Sequence, residues 1–446
     1  VQAAQRPEEV ADTVHDHIWA SVNAHVGTSA HSIPELVDQL GIMRFGRRPR
    51  IADTFCGSGQ IPFEAARLGC DVYASDLNPV ACMLTWGAFN SVGGTPAARN
   101  KLADDQKEMV RSVQMEIDAL GVEVDGDGWR AKVFLYCVEA RCPQTGWSVP
   151  LLPNLIISMS RRTVAKLIPD RSNQCYQIEI ESNVSDAELK AAMVGTIGRD
   201  SKYGEAYLTH QVDGAIYKTK MTTLRGDYQT TDGTVQNRLR LWEGQDFRPR
   251  PDDLLQERLY CIQWMRPKKK GKGDEIEFRA VTDDDLHRET VVGDFVEQHL
   301  ADWQANGWVP DMRIEVGGPP RYQGQDLIRA RGWTHWQHLF NPRQLLIAGL
   351  LNRQSSAPQK LAVTRVLNQS SRLSRWDNAK GSDKVQGVFD NQALNTIYNY
   401  GARGSQYAGD LVTAEPKKYP VPLCDYQIRN IPVEALSTSC DVFITD

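Results

Sequence analysis

Residues 50–79 of the chain, RIADTFCGSGQIPFEAARLGCDVYASDLNP, decide the fold. Their apolar runs predict strands at 51–55 and 72–75, and the segments that follow, 62–68 and 80–86, favour helices. Alternation of strands and helices is typical of a parallel, doubly wound sheet. The sequence therefore predicts an α/β fold, and this segment is expected to form the first half of the sheet.

The turn between the first strand and the first helix contains Gly57 and Gly59. Because glycine has no Cβ, a ligand can approach the backbone N–H groups of such a turn closely. The next strand ends at Asp76, where an acidic side chain accepts hydrogen bonds from ribose hydroxyls. A bare glycine turn also occurs as a tight connection without a ligand, but the whole run through Asp76 favours a nucleoside-bearing ligand.

The details of the turn indicate which nucleoside. A dinucleotide-binding turn needs a third glycine, and here Pro62 stands at that position. S-adenosylmethionine has no pyrophosphate, and the carboxylate of Asp53 complements the ammonium group at its methionine end. The sequence therefore predicts S-adenosylmethionine as the cofactor. Cys56 is interpreted as a small buried residue of the turn rather than as a nucleophile, because nothing near it in sequence would activate it.

Two motifs, one at residues 53–64 and one at the end of the chain, resemble those of amino-methyltransferases. Residues 53–64 are similar to the motif Asp-Pro-Phe-Cys-Gly-Ser-Gly-Thr, with Thr54 and Gln60 replacing the usual Pro and Thr. The end of the chain, 441–446, is similar to the strand that delivers the catalytic Asp-Pro-Pro-Tyr of those enzymes. Asp446 would be the first residue of that motif, and we expect the sequence to continue past both ends, since Val1 is not an initiator methionine.

Most of the chain also resembles one family, the large adenine-specific DNA methylases with a zinc ribbon, found in multi-gene phage-defence systems. The segments that carry this resemblance are 222–227, 248–253, 256–264, 331–336 and 339–345. The resemblance implies a cofactor site made by Asp53, Phe55, Gly57, Gly59, Asp76 and Leu77, with a contact to the adenine edge near Asn430.

The function that the resemblance implies is transfer of a methyl group to adenine N6 in DNA, which would mark host DNA in defence against phage. Double-stranded DNA with one base flipped out is the expected partner, and other subunits of a defence complex are further candidates. Methylation of cytosine C5 would need a cysteine nucleophile where Asp446 stands. The alternatives are an RNA amino-methyltransferase, such as one acting on tRNA, and a non-catalytic DNA-recognition or scaffold subunit.

The expected organisation is a Rossmann-like methyltransferase sheet interrupted by a long β-rich or mixed insertion. A helical segment at 1–45 precedes the cofactor-binding half at 46–100. The insertion at 101–410 is expected to recognise the target and to contain a degenerate zinc ribbon, and the returning strands lie at 411–446. A ribbon needs two cysteine pairs, whereas Cys142 is followed by Thr145, with Cys137 and Cys175 as its only companions. No metal site is therefore predicted.

Candidate contacts to nucleic acid are basic or aromatic: Arg47, Arg48, Lys268, Lys269, Lys270, Lys272, Trp333 and Trp336. His335 and His338 lie beside the two tryptophans. The lysine run is also typical of a solvated loop, and aromatic residues beside a helix more often belong to the core.

The composition sets the remaining expectations. A net charge of −5 counts against indiscriminate coating of nucleic acid. No apolar run approaches the roughly 18 residues of a membrane span. Nine scattered cysteines do not suggest a disulfide framework, so a cytoplasmic location is expected and no membrane partner.

Overall fold

The computed structural model describes residues 16–201, 204–268, 271–315, 323–388, 396–414, 419, 421, 424–435 and 438–444. The fold is a mixed α/β fold with several separate sheets. Among the described residues, no helix combines the length and the apolar character needed to span a membrane.

The α-helices are α1 (Asp16–Val26), α2 (Ile33–Phe45), α3 (Gln60–Arg67), α4 (Pro79–Gly87), α5 (Pro96–Ala119), α6 (Asp186–Ala191), α7 (Met221–Arg225), α8 (Asp283–Ala305), α9 (Gln323–Arg331), α10 (Pro342–Gln354), α11 (Ala357–Asn368) and α12 (Ser405–Thr413). A short π-helical segment, Ala88–Val92, follows α4, and single 3₁₀ turns lie at Trp336–Leu339 and Val433–Ala435.

The strands are β1 (Arg50–Asp53), β2 (Asp71–Asp76), β3 (Arg130–Arg141), β4 (Ser148–Leu151), β5 (Ile156–Ser158), β6 (Thr163–Asp170), β7 (Cys175–Glu181), β8 (Ile197–Arg199), β9 (Ala206–Val212), β10 (Ala215–Lys220), β11 (Tyr228–Gln229), β12 (Val235–Gln236), β13 (Leu255–Pro267), β14 (Asp274–Ala280), β15 (Trp376–Asp377), β16 (Lys384–Val385), β17 (Asn399–Arg403), β18 (Tyr426–Asn430) and β19 (Val442–Phe443).

The chain divides into two compact units. Unit 1 comprises Val1–Gln106, Ser356–Leu361 and Ala414–Asp446, and unit 2 comprises Lys107–Ser355 and Ala362–Thr413. The candidate cofactor residues all belong to unit 1.

Unit 1 contains a four-stranded sheet in the order β18-β2-β1-β19, with every neighbouring pair parallel. The two central strands are buried along most of their length, as expected of a parallel strand covered on both faces. β18 pairs with β2 and β19 pairs with β1, so strands from the two ends of the sequence share one sheet. The last strands of the described chain therefore lie in the same sheet as β1 and β2.

The alternation predicted for 50–86 is also confirmed: β1, α3, β2 and α4 follow one another close to the expected bounds. α4 begins where the sequence favours it, because Asn78 is its N-cap and accepts a hydrogen bond from the Val80 N–H at 2.9 Å, with Pro79 in the first turn. In the N-terminal segment, α1 and α2 are separate helices, and Ser32 is the N-cap of α2. Residues 1–15 lie outside the described part of the chain.

Unit 2 has a larger antiparallel sheet of β14, β13, β3 and β17, with β4 paired to the far end of β3. Two smaller three-stranded sheets, β5-β6-β7 and β10-β9-β8, follow the same antiparallel pattern. A separate helical core contains Trp303 of α8, Leu350 of α10 and Val412 of α12. The unit is therefore mixed, with both strand-rich and helical parts.

Candidate cofactor site at the carboxyl edge of the parallel sheet

Three of the predicted cofactor residues end neighbouring strands of the unit 1 sheet. Asp53 ends β1, Asp76 ends β2 and Asn430 ends β18, and Asn430 lies opposite Asp76 in the register of the sheet. Because the strands are parallel, all three residues lie at the same edge. In open parallel α/β sheets this carboxyl edge is where ligands bind.

The glycine turn between β1 and α3 folds back onto this edge. The Cys56 N–H donates to the Ser75 carbonyl at 3.0 Å, and the Gly59 N–H donates to the Cys56 carbonyl at 2.7 Å. Gly59 has a φ of 81°, and a Cβ added to it would lie within 3 Å of Thr85 on α4. The turn therefore needs glycine at this position both for its backbone angle and for its close approach to α4.

The carboxylate of Asp76 is directed at the same turn. Its Oδ2 accepts a hydrogen bond from the Gly57 N–H at 3.0 Å, and its Oδ1 accepts one from the Asn78 N–H at 2.8 Å. The side chain is partly exposed, and a carboxylate can accept about four hydrogen bonds in all. Asp76 is thus held rigidly by the backbone while it keeps acceptor capacity for a hydroxyl donor.

The other two strand ends differ in exposure. Asp53 is only 2% exposed and accepts a hydrogen bond from the Phe55 N–H at 3.1 Å. Asn430 is exposed, and its Nδ2 donates to the carbonyls of Asp76 and Leu77, each at 3.0 Å. Asn430 therefore fixes the backbone that carries Asp76 and Leu77. Asp53 places a nearly buried carboxylate at the head of the turn.

Large apolar side chains are exposed in the loops of this edge. Phe55 follows β1 and is 55% exposed, while Leu77 follows β2 and is 73% exposed. Val80, in the first turn of α4, is also exposed. Single exposed apolar residues are ordinary on protein surfaces. Here they are neighbours in sequence of the polar strand ends, an arrangement that suits a ligand with both a flat apolar ring and hydroxyl groups.

Cys56 has the properties of a structural residue. Its thiol is buried, accepts a hydrogen bond from the Thr85 hydroxyl at 3.4 Å, and has a pKa that burial raises to about 11. A thiol with a raised pKa carries little thiolate at neutral pH and is a poor nucleophile. The structure thus supports the interpretation of Cys56 as a small buried residue. Thr85, which contacts both Cys56 and the turn, gave no signal in the sequence because it lies inside an apolar helix.

The predicted catalytic residue, Asp446, lies outside the described residues, and its role stays a prediction. The strand that precedes it is described: β19 pairs in parallel with β1, and the Ile444 N–H donates to the Ala52 carbonyl at 2.9 Å. The chain therefore reaches residue 444 beside β1 and runs toward the carboxyl edge.

Arg47 and Arg48 have carboxylate partners within unit 1. The Arg47 guanidinium donates to both oxygens of Asp441 at 2.8 and 3.1 Å, and Arg48 Nε donates to Asp38 at 3.3 Å. Asp441 also accepts the Arg50 N–H at 2.9 Å. These arginines link the loop before β1 to the segments around it, and their assignment as phosphate ligands stays a prediction without support from this geometry.

The lysine run lies at the tip of the β13–β14 hairpin in unit 2. Lys268 and Lys272 are exposed, and the Lys268 N–H donates to the Gly273 carbonyl at 3.1 Å, whereas Lys269 and Lys270 lie outside the described residues. The position fits the solvated loop that the sequence favoured as an alternative. Binding of these lysines to phosphate stays a prediction.

Replacing Lys268, Lys269, Lys270 and Lys272 together with alanine is expected to lower DNA affinity equally for all sequences. For each phosphate that the lysines neutralise, the variant should show a slope of log affinity against log salt concentration that is shallower by roughly 0.9. Binding titrations over a range of salt concentrations test this, with the exposed Lys101→Ala as the control. An unaltered salt slope in the fourfold variant would mean that the hairpin tip is only a solvated loop.

The burial of Trp333 favours the alternative that the sequence offered, a core residue, over a contact to nucleic acid. Trp333 is 4% exposed and packs in a core cluster of unit 2 with Trp242, Leu327 and Leu339. Its ring contacts Trp242 edge-to-face, with centroids 6.4 Å apart. Trp336 is partly buried against the same cluster. Aromatic spacing alone could not distinguish a core pair from an exposed pair.

His338 is buried and neutral. Its Nδ1 accepts hydrogen bonds from the Thr334 and His335 N–H groups at 3.1 and 3.2 Å, and its Nε2 donates to the Glu243 carbonyl at 2.9 Å. Burial lowers its pKa from 6.5 to about 3. An imidazole held in this way supports the backbone around Trp333 and is not available to a base.

The His338→Gln variant should lose part of the acid sensitivity of the fold. Because the folded-state pKa is depressed, the unfolded chain binds the proton first, so stability falls as the pH drops from about 6.5 toward 3. The slope from this one group is up to about 1.4 kcal/mol per pH unit. Urea unfolding between pH 7 and pH 4 measures it, with exposed His25→Gln as the control. Identical pH slopes for His338→Gln and the parent would contradict the assignment.

The cysteines of the expected degenerate ribbon are held by ordinary contacts. Cys142 is buried with its sulfur 3.8 Å from the Thr219 hydroxyl, and the Thr145 hydroxyl lies 3.3 Å from His210 Nε2. Within the described residues no group of three His, Cys, Asp or Glu side chains is placed to hold a metal. At residue 145, where a ribbon would need a ligand, the side chain is a hydroxyl, which is a poor zinc ligand.

Elemental analysis of the purified protein is therefore expected to find well below one zinc per chain. Stoichiometric zinc that survives dialysis against a chelator would show that Cys137, Cys142 and Cys175 pair differently, or that the ligands lie outside the described residues.

Comparison with known proteins identifies no relative of this chain. No family model matches the chain, and searches among curated proteins and among solved structures found no significant match. The function must therefore be inferred from the site and from the resemblance of its motifs.

Proposed function

We propose that the chain is an S-adenosylmethionine-dependent methyltransferase of Rossmann-like fold that modifies an exocyclic amino group, with adenine N6 in DNA as the target. The observation that carries the proposal is the convergence of Asp53, the glycine turn, Asp76 and Asn430 at the carboxyl edge of one parallel sheet. The resemblance to adenine-specific DNA methylases of phage-defence systems supplies the choice of substrate, and the scattered cysteines carry the expectation of a cytoplasmic setting.

The hydrogen bonds of the turn favour S-adenosylmethionine over a dinucleotide. A pyrophosphate would need free N–H groups in the glycine turn. Here the Gly57 N–H is taken by Asp76, and the Gly59 N–H is taken by the Cys56 carbonyl. A cofactor without phosphate needs none of these donors. What remains available is the acceptor capacity of Asp76 and the exposed side chains of Phe55 and Leu77, while Asp53 adds a nearly buried negative charge at the head of the turn.

Each of these groups has a role in holding the cofactor. The Asp76 carboxylate would accept hydrogen bonds from the two ribose hydroxyls, because the turn already fixes its orientation. Leu77 and Phe55 would cover the faces of the adenine ring, and Asn430 would hold the adjacent backbone in place. Asp53 would attract the ammonium group of the methionine end. The bound cofactor supplies an electrophilic methyl group on its sulfonium.

The amine would be held from the neighbouring strand. β19 runs in parallel beside β1, and Ile444 lies next to it on the way to the edge at which Asp53 lies. The Asp446 carboxylate would accept a hydrogen bond from the substrate NH₂ and make its lone pair available for in-line attack. The cofactor would supply the methyl group, whose bond to sulfur would break as the bond to the amine nitrogen forms, and the displaced amine proton would leave to solvent. No covalent enzyme intermediate is involved.

The test is transfer of labelled methyl from S-adenosylmethionine to duplex DNA and to tRNA by the full-length natural protein. We expect labelled DNA that yields N6-methyladenine on digestion, and loss of labelling in Asp446→Asn but not in Glu434→Gln, an exposed carboxylate near the same end of the chain. Labelling of tRNA alone would establish the RNA enzyme instead. Cofactor binding without transfer to either nucleic acid would identify a non-catalytic subunit.

A further inference from the structure

Unit 2 contains an open cavity that the proposed function does not use. The empty space at this cavity, including open solvent at its mouth, is about 410 Å³. The cavity is lined by residues from the segment that precedes and begins β13 and by residues at the end of α9. Its charged and aromatic lining residues are Arg240, Trp242, Asp253, Glu257, Arg331 and Trp333.

The guanidinium of Arg331 is buried at this cavity with most of its donors unused. Arg331 is 6% exposed, and its Nη2 donates to the Ile397 carbonyl. Neither Nε nor Nη1 has a hydrogen-bond partner among the described residues. Nε carries one hydrogen and Nη1 carries two, so three N–H donors are unmatched. A buried cation in this state is costly to the fold unless something else satisfies it.

Aromatic rings lie near the guanidinium. The ring centre of Tyr398 is 4.6 Å from its central carbon, and that of Trp333 is 5.8 Å away. These rings fix the guanidinium by cation–π contact but accept no hydrogen bond in the plane of the donors. Burial is the main cause that lowers the pKa of Arg331 from its ordinary value, in keeping with a charge that lacks a bonded counter-ion.

The other charged groups that line the cavity already have bonded partners. Arg240 donates to Asp253 at 2.6 and 2.7 Å and to Asp246 at 2.6 Å. The Glu257 carboxylate accepts from Arg372 at 2.6 Å through both oxygens and from the Tyr400 hydroxyl at 3.0 Å. Among these lining residues, Arg331 is therefore the cation without a directly bonded anion. A ligand with a single negative charge would neutralise the single positive charge of Arg331.

We propose that this cavity binds a singly charged oxyanion and that Arg331 is its main ligand. The unmatched donors require oxygen acceptors, and the single unpaired charge favours a monoanion over a phosphate dianion. A phosphodiester of a nucleic acid and a small carboxylate share this chemistry. Water in the cavity would accept the hydrogen bonds but would supply no charge. The inference does not depend on methyl transfer at the unit 1 site.

The test measures thermal unfolding of the whole chain at constant ionic strength with two probes, dimethyl phosphate and acetate. We expect at least one probe to raise the unfolding midpoint of the parent by about 2 °C or more at saturating concentration. Arg331→Met should lose this shift, while Arg329→Met, an exposed arginine on the same helix, should keep it. A response to dimethyl phosphate alone identifies a phosphodiester as the source, and a response to acetate alone identifies a carboxylate.

A second variant covers the case in which Arg331→Met does not fold. Arg331→Lys keeps the charge but has fewer donors and no planar fork, so it should need at least about tenfold more of the effective probe for the same shift. If the parent, Arg331→Lys and Arg329→Met respond equally to both probes, or if none of them responds, the proposal is overturned. Arg331 would then be satisfied from within the chain or by water.

Discussion

Asp76→Ala is expected to weaken binding of S-adenosylmethionine by about 1 to 3 kcal/mol, roughly 5- to 150-fold in dissociation constant. The substitution removes a charged acceptor that the Gly57 and Asn78 N–H groups hold in place. It also removes the acceptor that connects the glycine turn to the end of β2, so part of the loss would come from the turn itself. Isothermal calorimetry with the cofactor measures the change.

Two controls separate these contributions. Asp76→Asn keeps an oxygen acceptor without the charge, so it should lose less affinity for S-adenosylmethionine than Asp76→Ala. Asp71→Ala removes a carboxylate from the opposite end of β2, where it accepts the Asp425 N–H at 3.0 Å, and should leave the affinity unaltered in protein that remains folded. If the parent and Asp76→Ala bind S-adenosylmethionine with equal affinity, Asp76 does not accept hydrogen bonds from the ribose hydroxyls.

Gly59→Ala is expected to destabilise unit 1 by about 2 to 4 kcal/mol and to abolish cofactor binding at ordinary concentrations. The added Cβ would lie 2.6 Å from the Thr85 hydroxyl and 2.8 Å from the Thr85 Cα, and the backbone has a φ of 81°. Because the Thr85 backbone is part of α4, it cannot move aside without displacing the helix that begins next to Asp76.

The matched control is Gly46→Ala. Gly46 also has a positive φ, of 71°, at the end of α2, but a Cβ there would meet nothing within 4 Å. Gly46→Ala should therefore lower the free energy of unfolding only by the backbone strain, about 1 kcal/mol. Urea unfolding compares the two variants. If Gly59→Ala is no less stable than Gly46→Ala, the close packing of the turn on α4 is not a determinant of the site.

Local patterns in the sequence were sufficient to predict the elements around the site. The apolar runs of β1 and β2 are buried on both faces, and such strands have a continuous hydrophobic signal. Asn78 and Pro79 mark the start of α4 by capping chemistry that depends only on adjacent residues. Cys56 could be interpreted correctly because a thiol without basic neighbours is usually structural.

Helix α8 of unit 2 was not predicted, although part of its signal was present. α8 begins with a capping box in which the Thr282 hydroxyl and the Asp285 carboxylate satisfy each other's backbone N–H groups. Its buried residues Val292, Val296 and Leu300 recur every four positions. A polar composition between them obscured the pattern.

Other features depend on contacts between distant residues and leave no local mark. Trp333 is in the core because Trp242, 91 positions earlier in the sequence, packs on it. Arg331 is distinguished from Arg329 only by burial and by what its donors meet. The pairing of Arg47 with Asp441 likewise joins residues from opposite ends of the chain. Spacing in the sequence cannot reveal such relations.

The most direct test of the cofactor assignment is equilibrium dialysis of the protein with labelled S-adenosylmethionine, with NAD⁺ and S-adenosylhomocysteine as competitors. Both competitors carry an adenosine, but only NAD⁺ needs N–H groups for a pyrophosphate, and the Gly57 and Gly59 donors are already bonded. We predict saturable binding that S-adenosylhomocysteine displaces and that a hundredfold excess of NAD⁺ leaves in place. Displacement by NAD⁺ at concentrations similar to those of S-adenosylhomocysteine, or no saturable binding of S-adenosylmethionine, would contradict the assignment.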